Sequence, residues 1–188
     1  HLERIREYAK IIASEMAGIS VYKDYITEKY IDEIYLSSIL HDIGKVGIQD
    51  SVLLKPGKLN PEEFDIIKGH TILGGDALAE IESQTEGRSF LTLGKEIAYY
   101  HHEKWDGSGY PIGLAGTKIP LPGRITAVAD VFDALSSKRP YKPAYPLEKC
   151  LDILIESSGS HFDPELVDAF LRRVDDIVAI QLQFAEVS

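Results

Sequence analysis

Cysteine is nearly missing from this chain. Cys150 is alone among 188 residues, which excludes an internal disulfide and leaves any metal ligation without thiolates. Its spacing to Leu147, Leu151 and Leu154 is helical and assigns it to core packing. Long apolar runs are also missing. Nothing approaches the roughly 18 uninterrupted residues of a membrane helix, and the charged opening His1-Leu2-Glu3-Arg4 is no signal peptide. The cytoplasm is the expected compartment. Positive charge is in short supply: 20 Lys and Arg stand against 30 Asp and Glu, a formal net charge of -10 with a pI near 5.0. That balance argues against a broad footprint for long DNA or RNA. A phosphate-bearing substrate would need local cations, which metal ions can supply, because ligating carboxylates count as negative charge in the total. Internal repeats, low-complexity tracts and strand alternation are absent from the pattern as well.

What is present is helical periodicity. With 44% hydrophobic residues the chain suits one domain. Leu2, Ile5, Ala9, Ile12, Ala13 and Met16 recur at three- and four-residue steps, giving an amphipathic helix over 1–17 that ends near Gly18. Thr27 caps a second helix carrying Ile31, Ile34, Tyr35 and Ile39 into His41-Asp42. Gly44, Gly47 and Pro56-Gly57 make a loop. Asn60, Pro61 and Glu63 mark a strong start for one long helix over 61–80 that contains His70. The pattern resumes from Phe90 to His101-His102, breaks in the turn-laden stretch Trp105 to Leu121, and returns as a buried helix over 123–136. A helix over 146–157 and a last pair, capped by Asp163-Pro164 and reaching about Phe184, complete an all-α reading.

The chemistry sits in adjacent pairs, His41-Asp42 and His101-His102. Successive helical residues project about 100° apart, so neighbours close poorly on one ion and suit a cluster of metals roughly 3.5–4 Å apart. Lys45 follows Asp42 by three residues. A cation beside metal ligands suggests a phosphate oxygen as its partner. Asp130 lies within Ile125-Thr126-Ala127-Val128-Ala129-Asp130-Val131-Phe132, where a bare carboxylate would be costly to bury and metal ligation would remove the cost. Asp133, one turn later, is placed to orient a ligand or a loop. His70 alone would read as a hydrogen-bonded core residue, and His161, with no acidic or histidine companion in sequence, is read as structural.

Taken together the motifs resemble the HD-GYP family, a branch of the HD-domain phosphohydrolases. The resemblance is carried over nearly the whole chain by His1-Leu2-Glu3-Arg4, His41-Asp42-Ile43-Gly44-Lys45-Val46-Gly47-Ile48, Leu54-Lys55-Pro56-Gly57-Lys58-Leu59, Lys68-Gly69-His70, His101-His102-Glu103-Lys104-Trp105-Asp106-Gly107-Ser108-Gly109-Tyr110-Pro111 and Ala129-Asp130-Val131-Phe132-Asp133-Ala134-Leu135. It implies a single-domain helical bundle of the HD-domain type over 1–188, with about seven helices. It further implies hydrolysis of cyclic di-GMP at a site holding two or three divalent metals, iron or manganese. Carried over by motif, the ligands are His1, His41, Asp42, His70, His101, His102 and Asp130. Lys45, Arg139 and Lys142 are expected at the substrate's phosphates, Tyr110 near the nucleotide, and Asp42 and Lys45 in catalysis. Trinuclear members use a glutamate one turn before the first histidine, and no residue precedes His1 in this chain.

The expected mechanism is in-line attack on phosphorus by a metal-bridging hydroxide, with loss of the ribose 3′-oxygen to give pGpG and then, in a second round, GMP. An upstream sensory or receiver domain and a homodimer are the further expected partners. Two alternatives stay open. One is hydrolysis of another nucleotide, such as cyclic GMP-AMP or a guanosine polyphosphate. The other is a receptor that binds cyclic di-GMP without cleaving it, for which lost metal ligands would be the signature.

Overall fold

The computed structural model describes all residues except 20, 85–88, 139–142 and 186–188, together with the side chain of 185. Among the described residues ten α-helices run in chain order: α1 (Leu2–Ala17), α2 (Glu28–Ser37), α3 (Asp50–Leu53), α4 (Pro61–Lys68), α5 (His70–Ser83), α6 (Phe90–Tyr100), α7 (Leu121–Ser136), α8 (Leu147–Glu156), α9 (Pro164–Arg172) and α10 (Val174–Ala185). Short 3-10 turns cover Ser38–Leu40, Ile43–Gly47 and Gly116–Lys118. Among the described residues there is no β-sheet, and no helix is long and apolar enough to cross a membrane.

The start signals act as the sequence pattern implies. Thr27 accepts from the Tyr30 amide at the head of α2, and Asn60 and Glu63 form a reciprocal capping box at α4. Asp163 accepts from the Glu165 amide, with Pro164 in the first turn of α9.

Three boundaries differ from the periodicity. The α-helix expected to run into His41-Asp42 ends at Ser37 and tightens into 3-10 turns on either side of that pair. The continuous helix expected over 61–80 is divided at Gly69. Beside that poor helix former, the His70 ring and the Thr71 hydroxyl bond the carbonyls of Ile67 and Lys68, three residues back. The loop expected after Gly44 contains the single turn α3.

The core forms around α1 and α7. Ile5, Tyr8, Ile12 and Met16 are fully buried against Ile125, Val128 and Phe132, and Leu166 and Phe170 of α9 close the cluster. Tyr8 and Phe170 meet the Phe132 ring edge-on at 5.5 and 4.9 Å. Cys150 is a buried free thiol within the same core.

A second contact brings the His41-Asp42 turn to the head of α5. There Gly44 lies so close to the α5 backbone that a Cβ would fall 1.9 Å from the His70 carbonyl oxygen and 2.4 Å from the Gly74 nitrogen. Only glycine allows that approach, and it sets His41, Asp42 and His70 side by side.

Candidate metal centre

Five elements deliver the cluster. His1 precedes α1, His41 and Asp42 sit between the two 3-10 turns, His70 opens α5, His101 and His102 follow the end of α6, and Asp130 lies midway along α7. Ligand atoms of Asp42, His70, His101 and His102 all fall within 4.8 Å of one another, and so do those of His1, His41 and Asp42. Asp42 belongs to both sets, the position of a bridging carboxylate. Its Oδ1 lies 3.3 Å from His70 Nε2 and 3.9 Å from His101 Nε2, while its Oδ2 lies 3.4 Å from His41 Nε2. Asp130 Oδ1 stands 3.7 Å from His1 Nε2 and 3.9 Å from His41 Nε2.

Hydrogen bonds on the far side of the rings fix their direction. Nδ1 of His41, His70 and His101 bonds the carbonyls of Ser38, Ile67 and Ile97 at 2.8, 2.6 and 2.8 Å. A carbonyl only accepts, so each Nδ1 carries the proton and each Nε2 offers a lone pair to the cluster. His1 uses a carboxylate for the same purpose, Nδ1 lying 2.7 Å from Asp133 Oδ2. Asp133 is buried and is held in turn by Arg4, whose Nε and Nη2 donate to it at 2.6 and 3.0 Å.

Protonation follows burial. His101 is pushed well below the usual histidine range by burial and by the rings around it, and His102 falls to about 3 from burial and its neighbour His70. Burial lowers His70 as well. Burial also opposes charge on His41, but the neighbouring carboxylates of Asp42 and Asp130 outweigh that and raise it. For Asp42 burial is again outweighed, by His41 and Lys45, which hold it as a carboxylate. Neutral imidazoles, as burial favours at His70, His101 and His102, beside an anionic Asp42 are what a divalent cation requires.

The decisive feature is what these atoms lack. Nε2 of His41, His70 and His101 and Oδ1 of Asp42 are buried with no hydrogen-bond partner. Four such atoms would be costly to leave unmatched, and divalent cations at the two ligand sets would match them. Nitrogen and carboxylate donors without sulfur fit iron, manganese or zinc.

All seven sequence-nominated ligands therefore come together. Lys45 is near them, its Nζ 2.6 Å from Asp42 Oδ2. Tyr110 stacks on His102 with ring centroids 4.7 Å apart. Arg139 and Lys142 lie outside the described residues. His161 stands apart from the cluster, stacked on Phe162 at 4.2 Å. Two residues escaped the sequence reading. Arg4 shares the His1 face of α1 at a three-residue step, and Glu103 is a buried acid directly after the histidine pair.

Residues 3–166 match the family model described as HD domain. The chain belongs to the HD-domain family. The resemblance of its motifs to the HD-GYP family is borne out by its relatives. It is 51% identical over 186 residues to a cyclic di-GMP phosphodiesterase of Vibrio cholerae, covering 99% of this chain and 38% of that protein. It is 43% identical to a 3'3'-cGAMP-specific phosphodiesterase of the same organism, covering 96% of this chain and 32% of that protein. The crystal structure of a cyclic GMP-AMP specific phosphodiesterase from V. cholerae superposes with a TM-score of 0.63 at 20% identity, covering 93% of this HD domain and 44% of that chain. The HD domain thus spans well under half the length of the two curated relatives.

Proposed function

We propose that this HD domain is a metal-dependent phosphodiesterase that hydrolyses cyclic di-GMP to pGpG, with GMP as the product of a second round. The carrying observation is the set of buried, unpartnered Nε2 and Oδ1 atoms that converge from His41, His70, His101 and Asp42. One ion would be held by Asp42, His70, His101 and His102, and a second by His1, His41 and Asp42 with Asp130 beside them. Iron or manganese is the proposed metal, in two or three copies. Bound divalent ions supply an acidified water and neutralise charge at phosphorus.

The chain's own residues do the rest. The centre opens into a cleft of about 470 Å³ whose walls include Arg4, Lys45, Lys138 and Ser137. That volume suits a small nucleotide. Lys45 keeps Asp42 anionic and presents its ammonium to the cleft, where it is placed to meet a phosphate oxygen. Asp133 and Arg4 lock the His1 ring. Arg139 and Lys142 are proposed to contact the substrate's phosphates, and Tyr110 to face the nucleotide. The curated relatives' greater length and their signalling activities favour a cytoplasmic output domain coupled to a sensory or receiver region.

A second reading, hydrolysis of 3'3'-cGAMP, is favoured by the 43% identical relative of that name. Protein loaded anaerobically with Fe(II) or with Mn(II) and offered both cyclic dinucleotides decides between them. Chromatography should show pGpG from cyclic di-GMP at the higher kcat/KM. Faster loss of cGAMP would select the second reading, and turnover of neither would overturn both.

A further inference from the structure

Of the four histidines around the Asp42, His70, His101 and His102 set and its neighbour His41, three are aimed by a hydrogen bond from Nδ1 to a backbone carbonyl. Among the described hydrogen bonds His102 has none of this kind. Its ring is held by its face instead: Tyr110 lies against it at 4.7 Å with an interplanar angle of 26°. Whatever fixes Tyr110 therefore fixes the direction of the His102 lone pair.

Tyr110 is fixed by the loop that follows the histidine pair. Glu103 is only 2% exposed. Its carboxylate accepts from the amides of Ile112 at 2.8 Å, Gly113 at 3.1 and 3.0 Å, and Leu114 at 3.0 Å. A buried carboxylate is tolerated when several N–H donors surround it, and such charge-assisted bonds are short and directional. The loop is thus folded back onto its own origin. At Gly109 the two strands of the loop touch, since a Cβ there would lie 2.3 Å from the Lys104 nitrogen and 2.5 Å from Glu103 Cα. The Tyr110 amide then donates to the His102 carbonyl at 3.2 Å, which sets the tyrosine ring over the histidine ring.

We infer that Glu103 and Tyr110 are positioning residues for the metal ligand His102, with Glu103 pinning the loop and the Tyr110 ring orienting the imidazole. Glu103 directs its carboxylate to the loop amides and not to the cluster. The inference rests on the metal-centre reading proposed above, and the experiment separates the two. The whole chain and the variants Glu103→Gln, Tyr110→Ala and Tyr110→Phe are titrated with Co(II) alone, and its d–d absorption and binding isotherm are recorded.

Wild type should bind Co(II). Tyr110→Ala and Glu103→Gln should weaken one bound ion by about 10–100-fold, the range found when an orienting partner of a ligand is removed. Their d–d bands should shift. Tyr110→Phe keeps the ring and should keep both affinity and spectrum, which a general loosening of the loop would not predict. Wild-type affinity and spectrum in both Glu103→Gln and Tyr110→Ala overturn this inference and leave the metal centre standing, as does a Tyr110→Phe variant as weak as Tyr110→Ala. A wild type that takes up no Co(II) overturns the metal centre, and this inference falls with it. If Glu103→Gln loses helical circular dichroism, the two tyrosine variants decide alone.

Discussion

Chelating the metals should cost this protein measurable stability, because the fold builds the cluster at its own expense. Four buried polar atoms, on His41, Asp42, His70 and His101, have no protein partner. Each such atom costs about 1–3 kcal/mol, against a total stability on the order of 5–15 kcal/mol for a domain. An ion that binds the folded chain and not the unfolded one stabilises it by about 2.7 kcal/mol at 100 times its dissociation constant. For a chain of this size each kcal/mol moves Tm by about 2–4 °C, so a saturating ion should raise Tm by about 5–11 °C. Thermal unfolding followed by circular dichroism, in chelator and across a Mn(II) titration, measures the increment. His101→Ala removes one of the four atoms and one ligand, and should shrink the increment while lowering the metal-free Tm less than an ordinary core truncation. A wild-type Tm indifferent to chelator and to Mn(II), Fe(II) and Zn(II) alike would refute the reasoning, since the orphaned atoms would then need no cation.

Asp133→Asn keeps an acceptor for His1 Nδ1 but removes the charge that pairs with Arg4; turnover should fall about 10–100-fold in steady-state assays, with lower metal content by elemental analysis. Gly44→Ala drives a Cβ into the α5 backbone, and overpacking of this kind should cost about 1–3 kcal/mol or more in denaturant unfolding. Burial, aided by Lys104, pushes His161 from 6.5 down to about 4. The unfolded chain therefore takes up this proton at higher pH than the folded one, so stability present above pH 6.5 is lost as pH falls toward 4, by at most about 3 kcal/mol. The variant His161→Gln should show a correspondingly flatter acid limb in urea midpoints measured from pH 7 to pH 4.

The candidate ligands were legible in the sequence because metal chemistry demands particular residue types, such as the adjacent pairs His41-Asp42 and His101-His102. The fold class was legible from apolar periodicity, as in Ile5, Ala9, Ile12 and Met16. What periodicity does not carry is where a helix yields to a site. The break at Gly69 and the 3-10 turns around His41-Asp42 depend on side chains that bond carbonyls three residues back, a local competition that leaves the hydrophobic pattern intact. Glu103 escaped notice for a related reason. A glutamate in a polar, glycine-rich stretch reads as solvated, and only the folded loop shows that its oxygens gather the amides of Ile112, Gly113 and Leu114.

Charge sharpens the difference between an enzyme and a mere receptor for a cyclic dinucleotide. The chain carries a net charge of -10, yet the proposed ligand is a dianion. Two cations that line the cleft are already engaged, Arg4 with Asp133 and Lys45 with Asp42. Against them the same walls place the carboxylates of Asp42, Asp130 and Asp133. Those three carboxylates balance Arg4, Lys45 and Lys138 among the described walls, so divalent cations on the histidine cluster would supply the surplus of positive charge there. A receptor evolved only to bind would gain more from lysine or arginine at those positions, which bring charge without a cost in unpartnered buried atoms. The costly arrangement makes sense where cations would also act on water and phosphorus, and the proposed activity would then tie affinity for the nucleotide and its cleavage to one and the same set of side chains.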